Sequence, residues 1–149
     1  MTKRTFQVKG NFINSRFVTA SESGDVNGEW IGRSPADFTD EVGRFQYSFQ
    51  AVDECVGAAR RAFHAWRKKP VAERAEILKK YQAALKKREE EFIEAIAREV
   101  GKPAWEAKTE VAAMTNKVDV TINDSMKLVA TYEIPKIMEN TTGSCHYRP

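Results

Sequence analysis

Strong charge, cysteine and long apolar runs are all scarce in this chain of 149 residues. The 24 Lys and Arg against 21 Asp and Glu leave a net charge of +3, too small to imply a polyanionic partner. Two cysteines, Cys55 and Cys145, give no disulfide framework. No apolar run approaches the roughly 18 residues of a membrane span. The opening Met-Thr-Lys-Arg-Thr-Phe lacks the apolar stretch of a signal peptide, so the reading is cytoplasmic and neither membrane nor nucleic acid is an expected partner. The sequons at Asn123 and Asn140 carry no weight without a secretory signal.

Catalytic signatures are absent too. No GxGxxG or GxxxxGK[ST] loop offers a phosphate cradle, and no GxSxG elbow offers a nucleophile. Cys55 and His64 stand nine residues apart and Cys145-His146 is an isolated pair; neither spacing suits zinc, so no metal site is expected. Neighbours on a strand point to opposite faces, so Cys145 and His146 do not make a nucleophile and its base. Cys55 falls on an apolar helix face and reads as a small core residue. The basic clusters Lys68-Lys69, Lys79-Lys80 and Lys86-Lys87-Arg88 are offset by Glu73, Glu76 and Glu89 to Glu91, as on a solvated helix face.

What remains is periodicity. Residues 1–49 read as β-rich and irregular. A hairpin turns at Asn14-Ser15, a polar loop covers 19–28, a break falls at Arg33-Ser34-Pro35-Ala36-Asp37, and a short strand runs from Val42 to Ser48. Helical spacing then takes over over residues 50–127. Val52, Cys55, Val56, Ala59, Phe63 and Trp66 form one apolar face, with Ser48 as its cap. The pattern from Val71 to Val100 is long for one helix and predicts a bend near 88–91. Gly101-Lys102-Pro103 is a helix–helix corner, since Gly accepts φ > 0 at a helix end and Pro fits a first turn. A third stretch uses Trp105, Val111, Met114, Val118, Ile122 and Met126 and fades near Lys127. Trp66, Trp105 and Met114 are core residues by default. Residues 128–149 are β-like, with a turn over Asn140-Thr-Thr-Gly143 and a returning strand from Ser144. That last strand has no domain end after it, so the chain reads as cut.

The order of these parts resembles the N-terminal part of the NAD(P)-dependent aldehyde dehydrogenase superfamily. The likeness rests on Ala58-Ala59-Arg60-Arg61-Ala62-Phe63, Trp66, Ala72-Glu73-Arg74, Ile77-Leu78 and Glu99-Val100-Gly101-Lys102-Pro103. The run from Trp105 to Met114, with Lys117-Val118-Asp119, is similar to the succinylglutamate-semialdehyde dehydrogenase branch. Two places depart from the family pattern. Asn14-Ser15-Arg16-Phe17 stands where an Asn-Gly-Glu-Trp-like hairpin is usual, with a Gly-Glu-Trp instead at 28–30, and Phe38 stands where a turn glycine is usual.

The resemblance implies an α/β fragment. It has an N-terminal β-hairpin and short strands (1–49), three or so amphipathic helices of a cofactor-binding domain (50–127), and a C-terminal β-arm (128–149). It implies a parent enzyme that oxidises a semialdehyde to a carboxylate by thiolate attack, hydride transfer to NAD or NADP, and thioester hydrolysis. The family's catalytic Cys, Glu and Asn and its nicotinamide-binding motifs have no counterpart here. The 149 residues alone are therefore expected to bind no NAD(P) and to be inactive. Glu110, Met114 and Lys117 fall on the helix that borders the family's aldehyde tunnel. The implied partners are the missing C-terminal part of the chain and other copies through the 128–149 arm. The competing reading is a stand-alone, non-catalytic helical interaction module of the same descent.

Overall fold

The computed structural model describes residues 4–147. It is a succession of antiparallel hairpins and helices: β1 (Asn11–Ile13), β2 (Arg16–Val18), α1 (Ala20–Ser23), β3 (Gly28–Ser34), β4 (Asp37–Tyr47), α2 (Gln50–Trp66), α3 (Val71–Lys87), α4 (Glu89–Val100) and α5 (Ala104–Val120). A π-helical turn over Thr121–Ser125, α6 (Met126–Leu128), β5 (Tyr132–Met138) and β6 (Thr141–Cys145) complete it. The strands pair only as three two-stranded ribbons, β1–β2, β3–β4 and β5–β6.

The chain gathers into two compact units. One comprises the residues up to Lys69 together with Arg88–Val111, and the other Pro70–Lys87 with the residues from Ala112 onward.

In the first unit the β1–β2 turn is the expected one. Asn14 and Ser15 take φ of 50° and 63°, the left-handed pair that a tight hairpin demands. β3 and β4 form a longer ribbon, in register from Gly28↔Tyr47 to Gly32↔Gly43 and bulged beyond Gly32, and α4 packs against both strands. Gly101 closes α4 at φ 74°, its N–H donating to the Ala97 carbonyl at 2.9 Å. A Cβ there would stand 3.1 Å from the Ala36 amide nitrogen, so both dihedral and space select glycine. One carboxylate group stitches distant parts of this unit. The Arg98 guanidinium donates to both oxygens of the buried Asp40, at 3.0 and 2.9 Å. It also donates to the Arg4 carbonyl and lies 5.0 Å over the Phe6 ring.

In the second unit α3 and part of α5 carry the buried side chains Gln82, Leu85, Thr115 and Val118. The β5–β6 ribbon is exposed along the whole of β5. Pro135 cannot donate to the ladder, and the register slips between Ile134 and Met138 with Lys136 at φ 55°.

The bend expected near 88–91 falls at Arg88, dividing the Val71–Val100 stretch into α3 and α4. Other local expectations give way. The 19–28 loop contains α1, held by the Glu22 carboxylate on the Thr19 N–H (2.7 Å). The Val42–Ser48 strand begins at Asp37 instead, because it pairs back to Ser34 across the Pro35-Ala36 turn. Ser48 does not cap α2: its hydroxyl is buried without a hydrogen-bond partner among the described residues, and only its carbonyl accepts, from Ala51. Thr141, Thr142 and Gly143 belong to β6 and not to a turn, which sits at Glu139-Asn140.

The largest correction concerns burial. Cys55 is exposed, as are Val52, Val56, Phe63 and Trp66 of the same α2 face. Trp105 is 71% exposed. The core is thin: Ile13, Leu85 and Ile93 are the bulkiest buried apolar side chains, and the largest fully buried ones are Val18 and Val111. On α5 the buried residues are Ala107, Val111, Thr115 and Val118: Val111 and Val118 of the expected stripe are buried, Trp105 is not, and Ala107 and Thr115 complete the packed side.

Candidate functional site

A glutamine organises the best-formed site. Gln82 is 8% exposed, and a buried amide without partners would cost about 1–3 kcal/mol. Its Nε2 donates to the Thr115 carbonyl (2.9 Å) and to Asp119 Oδ2 (2.7 Å), both on α5. These bonds set α3 and α5 in register. The Thr115 hydroxyl turns back to the Ala112 carbonyl at 2.9 Å, so it does not compete for the amide.

Beside this clamp lies a hollow of about 270 Å³. Its walls are Leu78 and Tyr81 from α3, then Met114, Lys117 and Val118 from α5, and Thr121 at the head of the π turn. The residues recur at three- and four-residue spacing because each helix lends one face. Apart from Lys117, the Tyr81 hydroxyl and the Thr121 hydroxyl, the lining side chains are apolar. The Thr121 hydroxyl donates to the Lys117 carbonyl at 2.7 Å, which fastens the first turn of the π segment to α5. π turns of this kind often mark functional places.

Of the three residues singled out from sequence, Met114 and Lys117 come together here. Glu110 does not line the hollow. Its carboxylate takes a hydrogen bond from the Lys102 ammonium, which also reaches Glu106 at 3.2 Å. Those two carboxylates raise the Lys102 pKa, Glu110 the more strongly. Leu78, Tyr81 and Thr121 were not singled out from the sequence; only the Gln82 register, invisible in a linear reading, brings them to Met114.

Other chemistry-bearing residues are dispersed. The His146 ring faces Ser144 (2.9 Å) and Thr131 (3.4 Å). Cys145 meets Tyr132 instead and raises that phenol's pKa. A hollow of about 440 Å³ in the first unit is walled by Phe6, Phe45 and Tyr47, and its charged residues are Lys9 and Glu99. No group of three metal-ligating side chains occurs among the described residues, and no described helix is long and apolar enough to cross a membrane.

Residues 33–149 match the model of the aldehyde dehydrogenase family. The chain belongs to that family. Among its curated relatives, the N-succinylglutamate 5-semialdehyde dehydrogenase of Burkholderia ambifaria is 42% identical over 105 residues, which are 65% of this chain and 22% of the relative. The enzyme of the same name from Paraburkholderia xenovorans is 36% identical over 132 residues, 83% of this chain and 27% of the relative. That from Erwinia tasmaniensis is 42% identical over 120 residues, 79% and 22% respectively. The chain thus spans about a quarter of the length of these aldehyde dehydrogenases. Solved structures share the fold. An NAD-dependent benzaldehyde dehydrogenase from Corynebacterium glutamicum superposes with a TM-score of 0.73 at 21% identity, over 93% of this chain and 29% of its own. An NADP-dependent glyceraldehyde-3-phosphate dehydrogenase from Bacillus halodurans, solved with NADP, gives 0.73 at 23%, over 91% and 28%.

One common cradle for a dinucleotide pyrophosphate is a glycine-bearing turn from a strand into a helix, and that form does not occur among the described residues. Of the eight glycines none lies in such a turn: β2 reaches α1 through Thr19, and β4 reaches α2 through Ser48-Phe49.

Proposed function

We propose that this chain is the N-terminal portion of an NAD(P)-dependent aldehyde dehydrogenase that oxidises a semialdehyde, N-succinylglutamate 5-semialdehyde by preference, to the carboxylate. The observation that carries the reading is the 36–42% identity to dehydrogenases of that name. In this reading residues 50–127 supply a helical layer of the cofactor-binding domain, and the thiol, the acid–base groups and the nicotinamide site lie in the remainder of a longer chain. Met114 and Lys117 border the route of the aldehyde, with Glu110 one turn earlier on the same face. Residues 128–149 form an arm through which copies associate, and the protein works in the cytoplasm. The exposed apolar face of α2 favours this over a stand-alone interaction module, because Val52, Val56, Phe63 and Trp66 form a surface of the kind that further chain covers.

The test is aldehyde-dependent reduction of NAD or NADP. The purified 149-residue chain is expected to give none with N-succinylglutamate 5-semialdehyde. Turnover by the chain alone overturns the claim of inactivity. A source gene that ends at the Pro149 codon overturns the enzymatic reading and leaves the interaction module.

A further inference from the structure

We infer that the hollow between α3 and α5 is a carboxylate-recognition site, in which Lys117 holds an acidic group of the substrate while Leu78, Met114 and Val118 take its methylene chain. The inference rests on the semialdehyde reading above, since it names the part of that substrate which the hollow would hold.

Three observations support it. The first is an unbalanced cation. Lys117 forms no ion pair among the described residues, although it lines a hollow that is otherwise largely apolar. The acids near it in sequence are engaged elsewhere, Asp119 accepting from Gln82 and Asp124 from Lys127, and on α3 Glu76 accepts from Lys79. The second is the charge of the surrounding segments. Residues 70–87 and 112–131 carry seven Lys or Arg against four Asp or Glu. Arg74, one turn before Leu78 on the same face of α3, leaves its Nε buried and without a hydrogen-bond partner. An anion entering here meets a net positive field. The third is size. Clefts that enclose a whole small ligand begin at roughly 300 Å³. A hollow of about 270 Å³ takes one arm of a molecule rather than all of it.

N-Succinylglutamate 5-semialdehyde has the complementary shape and charge. It carries one aldehyde and two carboxylates joined by short methylene runs. An ammonium group beside an apolar wall selects such an aldehyde over a neutral one of equal length, because the neutral chain gains the wall and leaves the cation unpaired.

The test uses the 149-residue chain and N-succinylglutamate, the carboxylate product, with its fully amidated and uncharged analogue as control. Binding is followed by amide chemical-shift changes. The expected result is shifts centred on Leu78, Tyr81, Met114, Lys117 and Thr121. Lys117→Met should weaken N-succinylglutamate about tenfold, the scale of one charge-assisted hydrogen bond at a partly exposed site, and Lys117→Arg should restore it. The amidated analogue should be indifferent to both changes. Lys117 is at the surface, so neither variant threatens the fold. No binding, shifts elsewhere, or equal weakening of acid and amide overturns the inference. Its failure is separable from that of the enzymatic reading, which is decided by cofactor reduction: a protein that turns over the semialdehyde while Lys117→Met leaves acid binding intact keeps the activity and loses this site.

Discussion

Asp40 and Arg98 show how much one pair can hold in a protein with so small a core. Asp40 is 8% exposed and the Arg98 side chain 14%, and their two hydrogen bonds join β4 to α4 across the first unit. The Asp40 carboxylate raises the Arg98 pKa, so the guanidinium stays charged at any working pH. Removing Asp40 takes away two hydrogen bonds of a largely buried guanidinium and leaves it the Glu94 carboxylate and the Arg4 carbonyl. Asp40→Ala is therefore expected to destabilise by about 3 kcal/mol, read as a fall in the urea midpoint. Glu22 acts in the opposite pH range. Its pKa is lowered from 4.5, first by the Thr19 N–H. A carboxylate whose folded pKa lies below its unfolded one contributes stability above the unfolded value and loses it as pH falls through the folded one. Glu22→Gln should lower the melting temperature at neutral pH and flatten its decline below about pH 4.5; an unchanged acid limb contradicts this bond.

At the scale of elements, the legible features are those decided by a residue's own backbone chemistry. Gly101 ends α4 because it alone tolerates φ 74° against Ala36 and Pro35. Gly101→Ala should cost about 1–2 kcal/mol in chemical denaturation, from the left-handed dihedral and the crowded Cβ together. Asn14-Ser15 was readable for the same reason, and so was the interruption at Arg88. Strand and helix faces were less so. The period of α2 identifies an apolar stripe, but period says nothing about what lies opposite, and in this chain Val52, Val56 and Phe63 stay exposed. On α5 the stripe was right at Val111 and Val118 and wrong at Trp105, which is exposed. The packed side is completed by Ala107 and Thr115, whose smallness lets the helix approach its neighbours. Met114 and Lys117 were found through resemblance alone; their association with Leu78 and Tyr81 depends on Gln82, whose burial no linear pattern announces.

For the molecule as a whole, the consequence of those faces is colloidal. Phe38, Phe49, Val52, Phe63, Trp105 and Leu128 are all exposed, and each two-stranded ribbon has outer edges that no further described strand pairs. The isolated chain should self-associate as concentration rises, seen as a mass above the monomer in light scattering. Val56→Lys with Phe63→Glu should shift that rise to higher concentration, and a clean monomer throughout would contradict it.

The Asp40–Arg98 bridge also sets a clock during synthesis. The two residues are 58 apart in sequence. A ribosome adding roughly 5–20 residues per second therefore exposes the carboxylate for about 3–12 s before its guanidinium has even been made. Over that interval the β3–β4 ribbon lacks the helix that packs against both of its strands. The nascent chain should be most open to capture by chaperones or by its neighbours on the same message while α2 and α3 are being translated, before α4 can cover that side of the ribbon.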